Sequence, residues 1–451
     1  MGISIVQKSD LGHRKRNPKI ALVLAGGAVS GGFYKLGGIK ALSDLMVNRD
    51  VKDFDIFVGL SAGSILGASL ATGISPEEMI KSIDGKSERL GRLSPLDFYN
   101  LNIAEFVGKP LDLLYNMISV LPKFLINFNA SFFSPDYKMF SAIRKFIARP
   151  STKNFDNLTK LFMRLVAASK DVPSLLDFLP SGIFDNSRIE AYLRRNMMRT
   201  NFKNDFKDLY NKRRKELYIT AMNLDTAARV VFGHDEDSSL TISEAVQASC
   251  ALPGWYKPAR IKGIDYVDGG VSATAEIDVA VQHGANLIIC YNPFRPVVNQ
   301  LLIRYYKEFD SYVSDKEHLA DRGLLAVLNQ AFRVLLHERL HSALAFYEKD
   351  QNFMGDIVLV EPDIHDYRFF EMNPINFWER AKSAEHGYIS VKNSIEKRYP
   401  DIKRIFSSYG IESTMIFLEE DAQKMKKAPF DESIIGILGK EKLKRDIRLA
   451  I

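Results

Sequence analysis

The sequence predicts a three-layer α/β fold, a mostly parallel sheet flanked by helices and interrupted by a helical insertion. Three observations predict it. Two apolar runs, Lys19 to Ala25 and Phe54 to Val58, each pass through a glycine-containing turn into a segment of helical periodicity. Strand-like and helix-like segments alternate again over 217–300, and the stretch between, 86–216, is aromatic-rich with helical spacing.

The run Lys19-Ile20-Ala21-Leu22-Val23-Leu24-Ala25 is short, apolar and closed by glycines, which is the pattern of a buried strand. It enters Gly26-Gly27-Ala28-Val29-Ser30-Gly31-Gly32, and Phe33 to Leu45 then places Leu36, Ile39, Ala41, Leu42 and Leu45 at helical spacing. A strand, a glycine-rich loop and a helix N-terminus together aim backbone N–H groups at an anion. That anion is either a phosphate or the oxyanion of acyl transfer. The dinucleotide pattern fails because Ala28 occupies its second glycine position, and the P-loop pattern fails because no Gly-Lys-Ser/Thr follows. With a candidate nucleophile downstream at Ser61, the oxyanion is the more economical choice, and Gly26, Gly27 and Ala28 are its expected backbone donors.

The second run, Phe54-Asp55-Ile56-Phe57-Val58, leads into Gly59-Leu60-Ser61-Ala62-Gly63, a G-x-S-x-G pentapeptide, and then into Ser64 to Leu70. A serine between a buried strand and a helix sits on a sharp turn, and Gly59 and Gly63 let neighbouring backbone approach it. The small residues Gly63, Gly67, Ala68 and Ala71 form a stripe for close helix packing on the sheet. Further on, Ser243 to Gly254 leads to Tyr266-Val267-Asp268-Gly269-Gly270. A carboxylate on such a glycine turn serves as base to a serine without an imidazole when its pocket raises its basicity.

Taken together, these segments resemble the patatin-like phospholipase family. Gly26 to Gly31 is similar to its oxyanion loop, Gly59 to Gly63 to its nucleophile elbow, and Asp268-Gly269-Gly270 to its Asp-Gly-Gly motif. Asn223-Leu224-Asp225-Thr226 with Val230-Val231-Phe232, and Ala248-Ser249-Cys250-Ala251-Leu252-Pro253-Gly254, are similar to intervening family text. The resemblance covers residues 19–72 and 217–292 well and is fainter over 357–363 and 386–388. It implies a Ser61–Asp268 dyad that hydrolyses acyl esters of lipids, with no metal, no cofactor and no catalytic histidine. Gly31, Gly59, Gly63, Gly269 and Gly270 are then motif support.

The chain departs from the family pattern in three places. Ala28 stands where a third glycine is usual, and Ser30 where a basic residue is common, so backbone donation survives while a guanidinium is missing. The link from Gly31 to Gly37-Gly38 is one residue longer than in the commoner form. Ala273-Thr274-Ala275-Glu276-Ile277 replaces the usual Asn-x-Pro.

Composition sets the remaining bounds. The 451 residues, 46% of them hydrophobic, suffice for a large core, and the sheet pattern favours one main domain over several. A net charge of +6 with no Lys/Arg-dense face around the motifs argues against nucleic acid and leaves room for anionic lipid surfaces. Cys250 and Cys290 lie in apolar segments and read as core residues of a reducing compartment. Met1 to Lys19 lacks a secretory signal, since Arg14-Lys15-Arg16 follows a weak apolar stretch, and Val6 removes the myristoylation pattern. The most apolar stretch, 111–128, is broken by Asp112, Asn116, Pro122 and Lys123. The expected setting is cytoplasmic, with peripheral membrane contact and a lipid or acyl-ester substrate.

The expected organisation is a basic N-terminal extension (1–18), a catalytic domain (19–400) holding the insertion at 86–216, and a charged helical tail (401–451). Aromatic residues from Phe98 to Phe133, among them Phe124 and Phe128, read either as the core of a helical subdomain or as a lid that touches a bilayer. Residues 301–347 read as helix, 356–360 as a strand and 378–396 as helix, while the tail reads as a solvated face or a docking element. A Ser–Asp–His triad of the α/β-hydrolase kind would need a histidine after Asp268; His283, His318, His337, His341, His365 and His386 follow it, none directly after a clear terminal strand. His337 and His341, at i and i+4, read as a surface pair or half of a metal site. A catalytically silent lipid- or partner-binding module of the same fold would be free to lose Ser61 or Asp268, and both are present.

Overall fold

The computed structural model of the chain describes residues 2–111, 139–168, 179–428 and 430–442. Its strands are β1 (Ile3–Gln7), β2 (Ile20–Leu24), β3 (Ile56–Gly59), β4 (Gly182–Phe184), β5 (Glu216–Asn223), β6 (Arg229–Phe232), β7 (Gly254–Tyr256), β8 (Ala259–Ile261), β9 (Ile264–Asp268), β10 (Leu287–Tyr291), β11 (Ile303–Tyr306), β12 (Ser311–Ser314) and β13 (Asp356–Val360). Five helices carry most of the argument: α1 (Ala28–Leu45), α2 (Ala62–Ala71), α3 (Ile242–Ser249), α4 (Leu324–Lys349) and α5 (Arg380–Lys397).

The main sheet runs β1-β13-β10-β2-β3-β5-β9-β8, with β6 pairing the other side of β5's ladder. From β13 to β5 all neighbours are parallel, while β1, β6, β8 and β9 pair antiparallel. Parallel strands bury both faces, and every residue of β2, β10 and β13 is buried. Alternation along β2 divides the core. Ile20, Leu22 and Leu24 join a cluster with α1 and α5, whereas Ala21, Val23 and Ala25 join one with Leu340 and Leu344 of α4 and with Ile277 and Ala280. Helices therefore cover both faces, and the three-layer α/β architecture is the observed one.

Glycines set one close helix crossing. A Cβ on Gly37 of α1 would run into the Ala384 carbonyl of α5, and one on Gly387 of α5 into the Tyr34 carbonyl of α1. A mid-helix glycine costs roughly 0.5–1 kcal/mol of helix stability, and backbone contact between the two helices is what offsets it.

Several boundaries differ from expectation. Ile3–Gln7, expected in a basic extension, is the edge strand antiparallel to β13, with Ile3 and Val6 buried. The chain divides into two compact units, Met1–Asn100 with Phe184–Ile451, and Leu101–Ile183. In the second unit the helices Met139–Ala148 and Thr152–Ala168 meet through Phe146 and Phe155, whose ring centroids lie 5.8 Å apart. Phe124, Phe128 and the rest of 112–138 lie outside the described residues. The stretch expected as helix over 301–347 begins instead as the β11–β12 hairpin, with α4 starting at Leu324. Ile303, Tyr305, Tyr306, Tyr312 and Val313 are β-branched or aromatic, which suits paired strands. In the tail, helices Ile416–Lys426 and Asp431–Leu438 bury Leu418, Met425, Ile435 and Leu438 in the main core. Among the described residues no helix is long and apolar enough to cross a membrane.

Candidate active site

In an open parallel sheet the strand C-termini form the edge where ligands sit. Leu24, the last residue of β2, is in register with Gly59 on one side and Tyr291 on the other, and Tyr291 with Val360. The chain therefore delivers Gly26, Ser61, Asn292 and Glu361 to the same edge.

Ser61 is held in an unusual turn. Its φ is 52° and ψ −129°, a conformation that costs an L-residue about 1–3 kcal/mol unless the surroundings enforce it. Leu60 N–H bonds the Leu24 carbonyl at 3.0 Å, and Gly63 N–H the Leu60 carbonyl at 2.7 Å. Ser64 Oγ donates to the Ser61 carbonyl at 2.6 Å, and Ser61 N–H donates to Ser249 Oγ at 2.8 Å. A Cβ on Gly63 would strike the Leu24 carbonyl, and one on Gly59 would lie 2.5 Å from Ser64 Cα. Only glycine fits at either place, so the expected support roles of Gly59 and Gly63 have a steric cause.

The loop after β2 passes over this serine. A Cβ on Gly26 would meet Ser61 Cβ at 3.3 Å and the Phe294 ring at 2.9 Å; one on Gly27 would meet Pro293 Cγ at 3.0 Å. The loop is thus pressed between the serine and Pro293-Phe294. Ala28, the first residue of α1, has φ +51°, the left-handed region that favours glycine. No acceptor among the described residues takes the N–H groups of Gly26, Gly27 and Ala28. Gly26 packs against Ser61, and α1 and α2 begin directly after this loop and this serine, an arrangement suited to an anion. Ser30 contributes no cation; its N–H bonds the Pro374 carbonyl.

Asp268 closes β9 opposite Ala221 of β5. It is 2% exposed, its N–H bonds the Ala251 carbonyl at 2.9 Å, and its Oδ1 accepts from Gly270 N–H at 2.8 Å. Oδ2 is buried with no hydrogen-bond partner among the described residues. Burial pushes the carboxyl up to about 6, while the neighbouring Ser61 hydroxyl, the Gly270 N–H and the Lys35 ammonium pull it down. The hydroxyl and carboxylate are therefore neighbours, with no hydrogen bond of good geometry closed between them. Gly269 is required because a Cβ there would lie 2.7 Å from both Leu60 Cδ1 and the Thr220 carbonyl.

Sequence reasoning missed two supporting groups. Lys35 is fully buried and donates to the carbonyls of Ala25 and, at 3.1 Å, Gly26. Lys40, further along α1, bonds the carboxylates of Asp44 and Glu77, but among the described residues no carboxylate bonds Lys35. Burial pushes Lys35 down to about 7, and the Asp268 carboxylate opposes that fall. Its signal in the sequence was a lone lysine within the apolar run Phe33-Tyr34-Lys35-Leu36. The other is Ser249, whose motif was noted without a role. None of the eight histidines, all within the described residues, bonds Ser61 or Asp268. His386 bonds Asp366 at 2.6 Å, His283 Glu236 at 3.1 Å and His341 Glu361 at 3.0 Å. Cys250 and Cys290 are free and buried.

A family model described as patatin-like phospholipase matches residues 22–281. Among solved structures, VipD from Legionella pneumophila is 15% identical with a TM-score of 0.31, over 97% of this chain and 86% of that one. ExoU, solved in complex with SpcU from Pseudomonas aeruginosa, is 16% identical with a TM-score of 0.26, over 94% of this chain and 64% of that one. No curated protein matches the chain.

Proposed function

The chain belongs to the patatin-like phospholipase family, which supports a lipid hydrolase, and from that premise we propose that it cleaves acyl esters of lipids through a Ser61 acyl-enzyme with Asp268 as the base. The observation that carries this reading is the buried Asp268 carboxyl beside the Ser61 hydroxyl, with its Oδ2 left unpartnered among the described residues. A carboxylate raised to about 6 is ionised at neutral pH yet basic enough to take a proton in the transition state.

Asp268 Oδ2 takes the hydroxyl proton as Ser61 Oγ bonds to the ester carbonyl carbon. Negative charge moves to the carbonyl oxygen, where the N–H groups of Gly26, Gly27 and Ala28 receive it. Loss of one such donor typically costs about 10²–10³ in turnover. As the intermediate collapses, the C–O bond to the alcohol breaks and Asp268 returns the proton to the leaving oxygen. Water then attacks the acyl-enzyme, giving its proton to Asp268, and the carboxylic acid leaves as Ser61 regains its hydrogen. Lys35, fixed to the carbonyls of Ala25 and Gly26, holds the loop from beneath and keeps Asp268 ionised. It touches no substrate and acts as a positioning residue.

A panel of p-nitrophenyl esters and defined phospholipids, run with wild type and Ser61→Ala, tests the reading. Hydrolysis that Ser61→Ala abolishes, with fluorophosphonate labelling on the Ser61 peptide, is the expected result. Labelling at another serine, or hydrolysis that survives the substitution, would overturn it.

A further inference from the structure

Three strands along the same sheet edge, roughly 14 Å from the serine at about 4.8 Å per strand, a second cluster stands apart from the ester chemistry. Glu361 follows β13 and is 4% exposed; His337 and His341 lie one turn apart on α4. His341 Nε2 is 3.0 Å from Glu361 Oε2, and His337 Nδ1 is 3.4 Å from Glu361 Oε1. The two rings are tilted at 47° to each other with centroids 4.1 Å apart. One ligand atom from each of the three residues lies within 4.8 Å of the others.

Hydrogen bonding accounts for only part of this arrangement. His337 Nδ1 is buried and has no hydrogen-bond partner among the described residues, although a carboxylate oxygen lies 3.4 Å away. A buried nitrogen left in that state is destabilising unless something else binds it. Donor atoms bound to one zinc ion at about 2.0–2.2 Å in tetrahedral geometry stand roughly 3.3–3.6 Å apart; each histidine nitrogen lies 3.0 or 3.4 Å from a Glu361 oxygen, and the three ligand atoms, all within 4.8 Å of one another, reach that spacing by a small side-chain shift. The surroundings also suit a metal. Asn292 Nδ2 donates to Glu361 Oε1 at 2.9 Å, which orients the carboxylate as an outer-shell partner does. The His341 side chain is 36% exposed, so an ion has a path in from solvent.

We propose that His337, His341 and Glu361 form a binding site for one borderline divalent transition ion of the Zn²⁺ class. Two imidazoles and one carboxylate match that class and are a poor set for Mg²⁺ or Ca²⁺, which favour all-oxygen shells. Three protein ligands leave a position open to water or a small anion. The ion ties α4 to the end of β13 and, through Asn292, to the segment whose Pro293 and Phe294 back the Gly26-Gly27 loop. Arg333, one turn before His337, bonds the Arg295 carbonyl of that same segment at 3.0 Å. Its place is a brace behind the loop, separate from the ester-cleaving step.

The test uses the full chain without an affinity tag, stripped of metal by chelator and titrated with Co²⁺ followed by optical absorption, then with Zn²⁺ in competition. One equivalent of Co²⁺ giving a visible d–d band, displaced by Zn²⁺, is expected. His341→Ala, the most exposed ligand, should weaken binding by at least about 100-fold, because even outer-shell changes cost 10–100-fold. Its metal-free melting temperature should stay close to that of the metal-free wild type, and Zn²⁺ should raise the melting temperature of wild type only. No band, or a band of equal affinity in His341→Ala, would overturn the site and leave a hydrogen-bonded His–Glu–His cluster. Because every readout is binding or melting, the outcome is independent of whether Ser61 hydrolyses an ester.

Discussion

The Ser249 hydroxyl accepts the backbone N–H of Ser61 at 2.8 Å, across 188 positions of sequence. Two residues later the Ala251 carbonyl accepts the N–H of Asp268 at 2.9 Å. One short segment at the C-terminal end of α3 thus holds both members of the proposed dyad, and bonds the strained turn at Ser61. Ser249→Ala should leave a buried N–H unpaired, at about 1–3 kcal/mol. Both a lower melting temperature and slower fluorophosphonate labelling of Ser61 should follow, and Ser249→Thr should restore part of each. Labelling at the wild-type rate in Ser249→Ala would show that the turn holds without this bond.

For the dyad itself, Asp268→Asn should lower turnover about as far as Ser61→Ala, and the double variant should be no worse than either, because groups that act as one unit are strongly non-additive. Each of His283, His318, His337, His341, His365 and His386 changed singly to Gln should keep most ester hydrolysis. A fall of about 10⁴ in any one of them, the size seen when a triad member is disabled, would restore the histidine triad. Asp268→Asn carries a second signature in stability. The folded-state pKa is raised from 3.8 to about 6, so the native state favours the proton. Ionisation therefore costs stability, progressively from about pH 4 and in full above about pH 6, by an amount of order 3 kcal/mol. Melting curves should find Asp268→Asn more stable than wild type at pH 8 and nearly equal to it at pH 4.

The same carboxyl sets the pH profile. Because the base must be ionised, kcat/KM on a soluble ester should fall roughly tenfold per pH unit below about pH 6. Lys35 pulls that value down, so Lys35→Met, which keeps the stem and removes the charge, should move the acid limb upward. An unmoved limb, with activity merely scaled down, would show that Lys35 holds the loop without acting on Asp268.

Much of this site is legible in the sequence because its demands are local. Gly59, Gly63 and Gly269 are required by backbone contacts within a few residues or across adjacent strands, and strand-turn-helix periodicity places Ser61 and Gly26 at strand ends. What was not legible depends on distant pairing. Ile3–Gln7 looks like an extension because its partner is Asp356–Val360, at the far end of the chain. Glu361 joins His337 and His341 only once β13 lies beside β10, so the i, i+4 histidine pair alone showed two of three ligands. Lys35 was hidden differently: a lysine in an apolar helix reads as a solvated position until Ala25 and Gly26 fold back over it.

Ala28 is the remaining departure with a measurable consequence. It stands at φ +51°, where an L-residue is disfavoured by about 1–2 kcal/mol and glycine is not. Replacing it with Gly removes that strain and adds freedom to the unfolded chain, which returns about 0.4–1 kcal/mol of the gain. Ala28→Gly should therefore be neutral to slightly stabilising, by up to about 1 kcal/mol, and its N–H remains available to an oxyanion. Turnover of a short-chain p-nitrophenyl ester should stay within about threefold of wild type, since one whole donor is worth about 10²–10³. Ala28→Val should behave oppositely, because a β-branched side chain at positive φ is a severe outlier; both melting temperature and turnover should drop. If Ala28→Gly instead lost tenfold or more in turnover at an unchanged melting temperature, the methyl group itself would be shaping the loop, and the reading of residue 28 as a backbone donor alone would fail.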